Sequence, residues 1–131
     1  MFEDMGYRDA RAQAAMMTTS RPLFARGLED GSYRGWFVEE PEGRVVAGGG
    51  ILFLTFQPSP ANPDPRRAWI VNMFTEPDLR GRGHARRLVE TMLQWCRAVR
   101  LPAIYLHASD AGRPLYESLG FTPTNEMKLF L

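Results

Sequence analysis

A change of periodicity near residue 84 predicts an α/β fold, a mixed central sheet flanked by helices. Runs rich in aromatic and β-branched residues precede it, and a one-faced apolar helix follows. A short apolar run comes after that helix, so strand, helix and strand form a crossover unit whose strands run parallel. At 131 residues the chain is long enough to bury one core and too short for a second. Residues 1–131 are therefore read as a single domain that carries both fold and function.

In chain order, Phe2 to about Met17 reads as a helix. Ser20, followed by Pro22, Leu23, Phe24 and Leu28 up to Gly31, reads as a second. Tyr33 to Glu40 and Val45 to Phe56 have strand composition, and Pro41-Glu42-Gly43 between them supplies turn chemistry, which predicts an antiparallel hairpin. Gln57 to Pro65 holds four prolines, which cannot join a sheet ladder, and is read as a loop. Ala68 to Thr75 is almost continuously apolar and closed by Glu76-Pro77, as a central strand buried on both faces would be.

From Ala85 onward Leu88, Val89, Met92, Cys96 and Val99 share one helical face, with Arg86, Arg87, Glu90, Arg97 and Arg100 elsewhere, and Pro102 marks the stop. Ala103 to Ala108 is the next strand. Ser109 or Asp110 then caps a helix with Pro114 in or just after its first turn, and Gly120 ends it. Glu126 to Leu131 is read as the final strand.

Composition narrows the function. No run approaches the roughly 18 to 20 apolar residues of a membrane span, and Glu3, Asp4 and Arg8 interrupt any signal-peptide core, so the expectation is a cytoplasmic protein without membrane contact. Cys96 is the sole cysteine, and with only His84 and His107 beside it no Cys/His cluster is available; no metal is expected. Cys96 lies on the core face of its helix, where a small apolar residue is the ordinary explanation, so it is not read as a nucleophile. The formal charge of +1 argues against wholesale nucleic-acid binding, yet four arginines crowd positions 80, 82, 86 and 87, which asks for a local anion.

The chemistry concentrates there. A strand that runs through Thr75 into Arg80-Gly81-Arg82-Gly83-His84-Ala85 and then a helix aims free backbone N–H groups and the positive end of a helix dipole at one point, which suits a phosphate. Gly81 and Gly83 let the backbone approach closely, and Arg80, Arg82, Arg86 and Arg87 can add charge-assisted contacts. The same pattern alone also fits a plain turn before a helix. No Gly-Lys-Ser/Thr follows, and the three-glycine dinucleotide spacing is missing, so neither of those phosphate sites applies.

A second segment, Leu115-Tyr116-Glu117-Ser118-Leu119-Gly120-Phe121, closes the helix after the next strand. Together the two segments resemble the GNAT superfamily of acetyl-CoA-dependent N-acetyltransferases. That family's pyrophosphate loop reads Arg/Gln-x-x-Gly-x-Gly/Ala, and its later helix carries a Tyr before Leu-Gly-Phe. Thr75-Glu76-Pro77-Asp78-Leu79-Arg80-Gly81 resembles the family's Val-x-Pro-x-x-Arg-Gly passage with Thr75 in place of Val, and the resemblance covers roughly residues 33–131.

The resemblance implies a GNAT-like fold and acetyl-CoA as cosubstrate. Backbone groups of Met73, Phe74 and Thr75 would pair with the pantetheine arm like an added strand. The loop Arg80, Gly81, Arg82, Gly83, His84, Ala85 and Arg86 would hold the pyrophosphate. A neutral amine, on a small molecule or a peptide, would attack the thioester directly while a backbone N–H near Met73 or Phe74 polarises the carbonyl. Tyr116 would protonate the leaving thiolate; the alternative is that its ring packs on the sheet and its hydroxyl bonds the cofactor sulfur. Ser109, where the family often has Asn against pantetheine, would either cap the helix or bond the cofactor with a shorter reach.

Three departures accompany the match. The Glu that some members use as general base early in the strand corresponds here to Ala68, which leaves Glu76, His107, and Asn72 through a held water, as candidates; a lone strand His is also an ordinary structural hydrogen-bonder. The family's opening strand is not visible before Met1-Phe2-Glu3-Asp4-Met5-Gly6. That gap, with the apolar end Met127 to Leu131, leaves sheet edges and predicts a homodimer. Two readings compete with the enzyme: a non-catalytic acyl-CoA-binding or regulatory module, and a generic phosphate-binding α/β module that leaves Leu115 to Phe121 unexplained.

Overall fold

Among the described residues a four-stranded sheet organises the fold, its strands neighbouring one another in chain order. In the computed structural model, which describes residues 10–131, α1 (Ala10–Asp30) is followed by β1 (Tyr33–Glu39), β2 (Val45–Thr55) and β3 (Arg66–Thr75). A single 3-10 turn (Pro77–Leu79) leads to α2 (His84–Ala98), β4 (Tyr105–Leu106) and α3 (Arg113–Ser118). β1, β2 and β3 pair antiparallel, and β4 lies parallel to β3, so the sheet is mixed as the crossover pattern requires.

The hairpin turn forms as its residues dictate. Gly43 takes φ 92°, and Glu40 N–H donates to Arg44 O at 2.9 Å. Period-two alternation then sends side chains to opposite faces. Ala47, Ile51, Ala68 and Ile70 meet Leu88, Val89, Met92 and Cys96 of α2 in the buried core, and Trp36 of β1 sets its ring edge-on to Trp95 of α2, with centroids 5.6 Å apart. On the other face Tyr33 packs its ring against Phe24 of α1 at 4.7 Å.

Several expectations need correction. The two N-terminal helices are one: α1 runs unbroken through Pro22. Thr18 and Thr19 return their hydroxyls to the carbonyls of Ala14 and Ala15, so neither acts as a breaker, and Ser20 lies inside the helix instead of capping one. The part of the first expected helix that falls on residues 2–9 lies outside the described residues.

The strand expected over Ala103 to Ala108 shrinks to Tyr105–Leu106, because only Trp69 and Ile70 of β3 pair with it. β3 itself buries Arg67, Ala68 and Ile70, while Val71 to Thr75 stay half-exposed, so it is not covered on both faces along its length. The last helix starts at Arg113 instead of beside Ser109 or Asp110. Ser109 Oγ accepts Gly112 N–H at 3.1 Å and its carbonyl accepts Arg113 N–H at 2.9 Å, which spends residues 109–112 on a turn. Glu126 to Leu131 forms no strand: residues 121–131 have no regular structure, and a two-residue β4 offers too little edge for them to pair with.

Candidate active site

The central event of the sheet is a bulge in β3. Gly48 pairs with Phe74 and Gly50 with Val71, so Asn72 and Met73 together oppose the single residue Gly49. Asn72 makes the turn with φ 60°, a left-handed conformation costly for any residue but Gly. Past Ile70 the strand also has no β4 partner, so it is paired on one side only. A strand in this state presents backbone donors and acceptors to whatever lies beside it.

Three consecutive glycines in β2 make the bulge feasible. A Cβ on Gly48 would lie 2.6 Å from Phe74 Cε1, one on Gly49 would run into the Met73 sulfur and sit 3.0 Å from Met92 Cε, and one on Gly50 would strike the Tyr33 phenol. Tyr33 thus lies over Gly50, and its hydroxyl accepts from Asn72 Nδ2 at 3.3 Å. The chain Phe24, Tyr33, Asn72 therefore ties α1 to the bulge. Sequence reading missed this support; glycines inside a strand signal a bulge or a close approach, and the run Gly48-Gly49-Gly50 was that signal.

After Thr75 the chain turns through Pro77–Leu79 into the loop. Arg80 Nε donates to Thr75 O at 3.4 Å. Gly81 and Gly83 take φ 80° and 82°, and a Cβ at either would meet nothing within 4 Å, so the space beside each is open. Gly83 is the N-cap of α2, and its carbonyl accepts the Arg87 N–H at 3.0 Å, so the amides of His84, Ala85 and Arg86 are the helix's unpaired N-terminal donors. His84 keeps Nδ1 buried with no hydrogen-bond partner among the described residues. Arg82 and Arg87 form no side-chain ion pair among the described residues, whereas Arg86 reaches across to Ser118 Oγ at 2.7 Å and to Glu90 at 3.9 Å.

That Arg86–Ser118 bond holds α3 beside the loop and so brings the two sequence segments together. Tyr116 of α3 is half-buried against the core, its ring edge-on to Phe121 at 5.8 Å. Its hydroxyl has no hydrogen-bond partner among the described residues, and burial pushes the phenol above its ordinary pKa. Met73 packs against the same core. Cys96 is buried and its thiol is likewise pushed up by burial, which suits its packing role.

The base candidates separate. Asn72 sits in the bulge. Glu76 is half-buried with its N–H on Val46 O at 2.8 Å. His107 is exposed, stacks at 4.8 Å on Trp69 and pairs with Glu126 at 3.1 Å, a partner that sequence reading did not foresee. Ser109 commits its hydroxyl to the turn before α3, and Met73, Phe74 and Thr75 line the open end of β3.

These features meet independent comparisons. The family model described as Acetyltransferase (GNAT) family matches residues 5–121. The chain belongs to the GNAT acetyltransferase family. It is 35% identical to a GCN5-related N-acetyltransferase from Ralstonia eutropha, with a TM-score of 0.92 over 100% of this chain and 85% of that one. A predicted acetyltransferase from Clostridium acetobutylicum, whose crystal structure includes acetyl-CoA, is 28% identical with a TM-score of 0.85 over 99% of this chain and 82% of that one. The fold alone is shared with glucosamine-6-phosphate N-acetyltransferase from Arabidopsis thaliana, at 17% identity and a TM-score of 0.67 over 83% of this chain and 74% of that one. No curated protein matches the sequence. Among the described residues, no helix is long and apolar enough to cross a membrane.

Proposed function

We propose that this GNAT protein is an acetyl-CoA-dependent N-acetyltransferase acting on a primary amine, with one domain providing both cofactor and acceptor sites. The observation that carries the reading is the conjunction at the end of β3: a strand freed from β4 after Ile70, a left-handed Asn72, and an open glycine loop capping α2.

The residues fit the cofactor. The open space beside Gly81 and Gly83, the unpaired amides of His84, Ala85 and Arg86, and the charges of Arg80, Arg82 and Arg87 suit a pyrophosphate. The one-sided edge at Met73, Phe74 and Thr75 suits an amide-bearing arm. Acetyl-CoA supplies an activated acyl carbon and a thiol leaving group. Arg86 would act mainly by holding α3 to the loop, and Ser109 by shaping the turn before it.

A backbone N–H at Met73 or Phe74 would donate to the thioester carbonyl oxygen as it gains charge. The neutral amine would attack the thioester carbon, forming the C–N bond as the C–S bond breaks; Tyr116 would give its proton to the departing sulfur, and the proton shed by the nitrogen would pass to solvent. A phenol held above its ordinary pKa by burial stays protonated at neutral pH, as an acid must. The test is release of free thiol from acetyl-CoA with a panel of primary amines; binding of acetyl-CoA without any amine-dependent release would assign the chain to the non-catalytic class.

Self-association belongs to the same reading. Met127, Leu129, Phe130 and Leu131 are 80–114% exposed, an apolar end that a second copy would cover. Light scattering should give a dimer mass; a monomer at high concentration without aggregation would refute it.

A further inference from the structure

The groove between α1 and the β3 bulge has a volume of about 520 Å³. Its walls are Met16, Met17, Phe24 and Leu28 of α1, with Arg21 as the one charged residue among the described lining, and its floor on the sheet side is Asn72. Met17 and Leu28 are large apolar side chains left 46% and 63% exposed, although they face this hollow. The groove ends beside the residue that makes the bulge, one position before Met73.

We infer that the acceptor is a primary amine on an apolar, uncharged body, and that it lies in this groove with its nitrogen at Asn72. This rests on the acetyl-transfer reading and adds the substrate class to it. The walls supply surface that rewards alkyl or aryl bodies, and methionines adapt to irregular ones. Among the described residues that line the groove none is a carboxylate, and a second ammonium group would meet Arg21, so polyamines are disfavoured.

Asn72 orients the nitrogen. One N–H of its Nδ2 donates to the Tyr33 hydroxyl, which orients the carboxamide and leaves Oδ1 to accept an N–H from the amine. The strained φ of 60° is held by that bond and by the glycines beneath, so the carboxamide is set before the amine arrives. Asn72 is thus a substrate-contacting residue, and Tyr33 positions it.

The experiment measures thiol release from acetyl-CoA with n-alkylamines from propyl to hexyl, 2-phenylethylamine, spermidine and a lysine-containing peptide. We expect kcat/KM to rise roughly three- to four-fold per added methylene until the groove is filled, with spermidine and the peptide far below hexylamine. Ala25→Trp, which places an indole in the groove, should cut kcat/KM for hexylamine roughly tenfold and spare propylamine, leaving the KM for acetyl-CoA unchanged. Arg21→Glu on the exposed helix face should raise kcat/KM for a diamine roughly two- to five-fold.

A flat chain-length series, or spermidine or the peptide as best acceptor, would overturn the groove assignment while leaving the transferase reading intact. Thiol release with no amine at all, despite calorimetric binding of acetyl-CoA, would overturn both. Should Ala25→Trp fail to fold, the parent series and Arg21→Glu still decide.

Discussion

The two halves of β3 have the same parent strand and opposite fates. Arg66 to Ile70 is paired with β2 throughout and with β4 at Trp69 and Ile70, and it packs Ala68 and Ile70 into the core. Val71 to Thr75 keeps β2 but loses β4, bends at Asn72 and leaves its residues half-exposed. The apolar composition of the two halves is similar. What separates them is the sequence opposite: Phe53 and Ile51 face the closed half with full side chains, whereas Gly48-Gly49-Gly50 face the open half with none. A sheet can therefore turn one end of a core strand into a site by removing side chains from its neighbour, without changing the strand's own hydrophobicity.

The sharpest way to break this comparison is at the loop that continues the open half. Gly83→Val should weaken acetyl-CoA binding by roughly 10³-fold, since it strains a left-handed position and blocks two or more charge-assisted N–H contacts. Calorimetric titration checks it, with circular dichroism to show the fold intact. Undiminished affinity in the folded variant would mean that the loop is only a turn.

Next in size is Tyr116→Phe, for which we expect turnover to fall roughly 10²-fold with the KM for acetyl-CoA nearly constant. An acyl donor with a more acidic thiol should recover part of the loss. The pH dependence follows the sign of the burial effect: the phenol is protonated below its raised pKa, so its acid function is intact through neutral pH. It is lost as pH climbs through a value above the usual phenol range near 10. Parental turnover in the variant, with chemistry rate-limiting, would make Tyr116 a packing residue.

Gly49→Ala tests the glycines directly. One methyl would collide with the Met73 sulfur and crowd Met92, so we expect a loss of about 1–3 kcal/mol in unfolding free energy. Turnover should fall as well, because Met73 belongs to the bulge. A variant of parental stability and activity would show that the bulge does not depend on the empty space below it.

The same contrast explains what could be read from sequence. The loop and α2 were legible because their rules are local: glycines at positive φ, an apolar face at helical spacing, Pro102 after the end. α1 was split in error because Ser20 and Pro22 look like a helix start, yet the chain carries helix through both. The bulge was hidden because it depends on register, on which residue of β2 faces Asn72, and register is a non-local fact. The tail Glu126 to Leu131 has strand composition but lacks an edge long enough to receive it, and composition cannot report the length of a neighbour.

His107 tests where the site ends. It follows β4 at the closed half, with its ring on Trp69 and Nε2 on Glu126, and it is 68% exposed at the side chain. An exposed ion pair contributes little, about 0–1 kcal/mol at most, and the ring contact survives in part with a planar amide. We therefore expect His107→Gln to leave kcat/KM for the best amine within roughly twofold of the parent and to leave the acidic limb of its pH profile in place. A general base behaves otherwise: its removal costs roughly 10²-fold or more, and the limb that reports its titration disappears. Such a result would move the base to the closed half and extend the reacting centre across the β3–β4 junction. A twofold change with the limb retained keeps the chemistry at the open end, where the amine then arrives already neutral or gives its proton to a water held by Asn72.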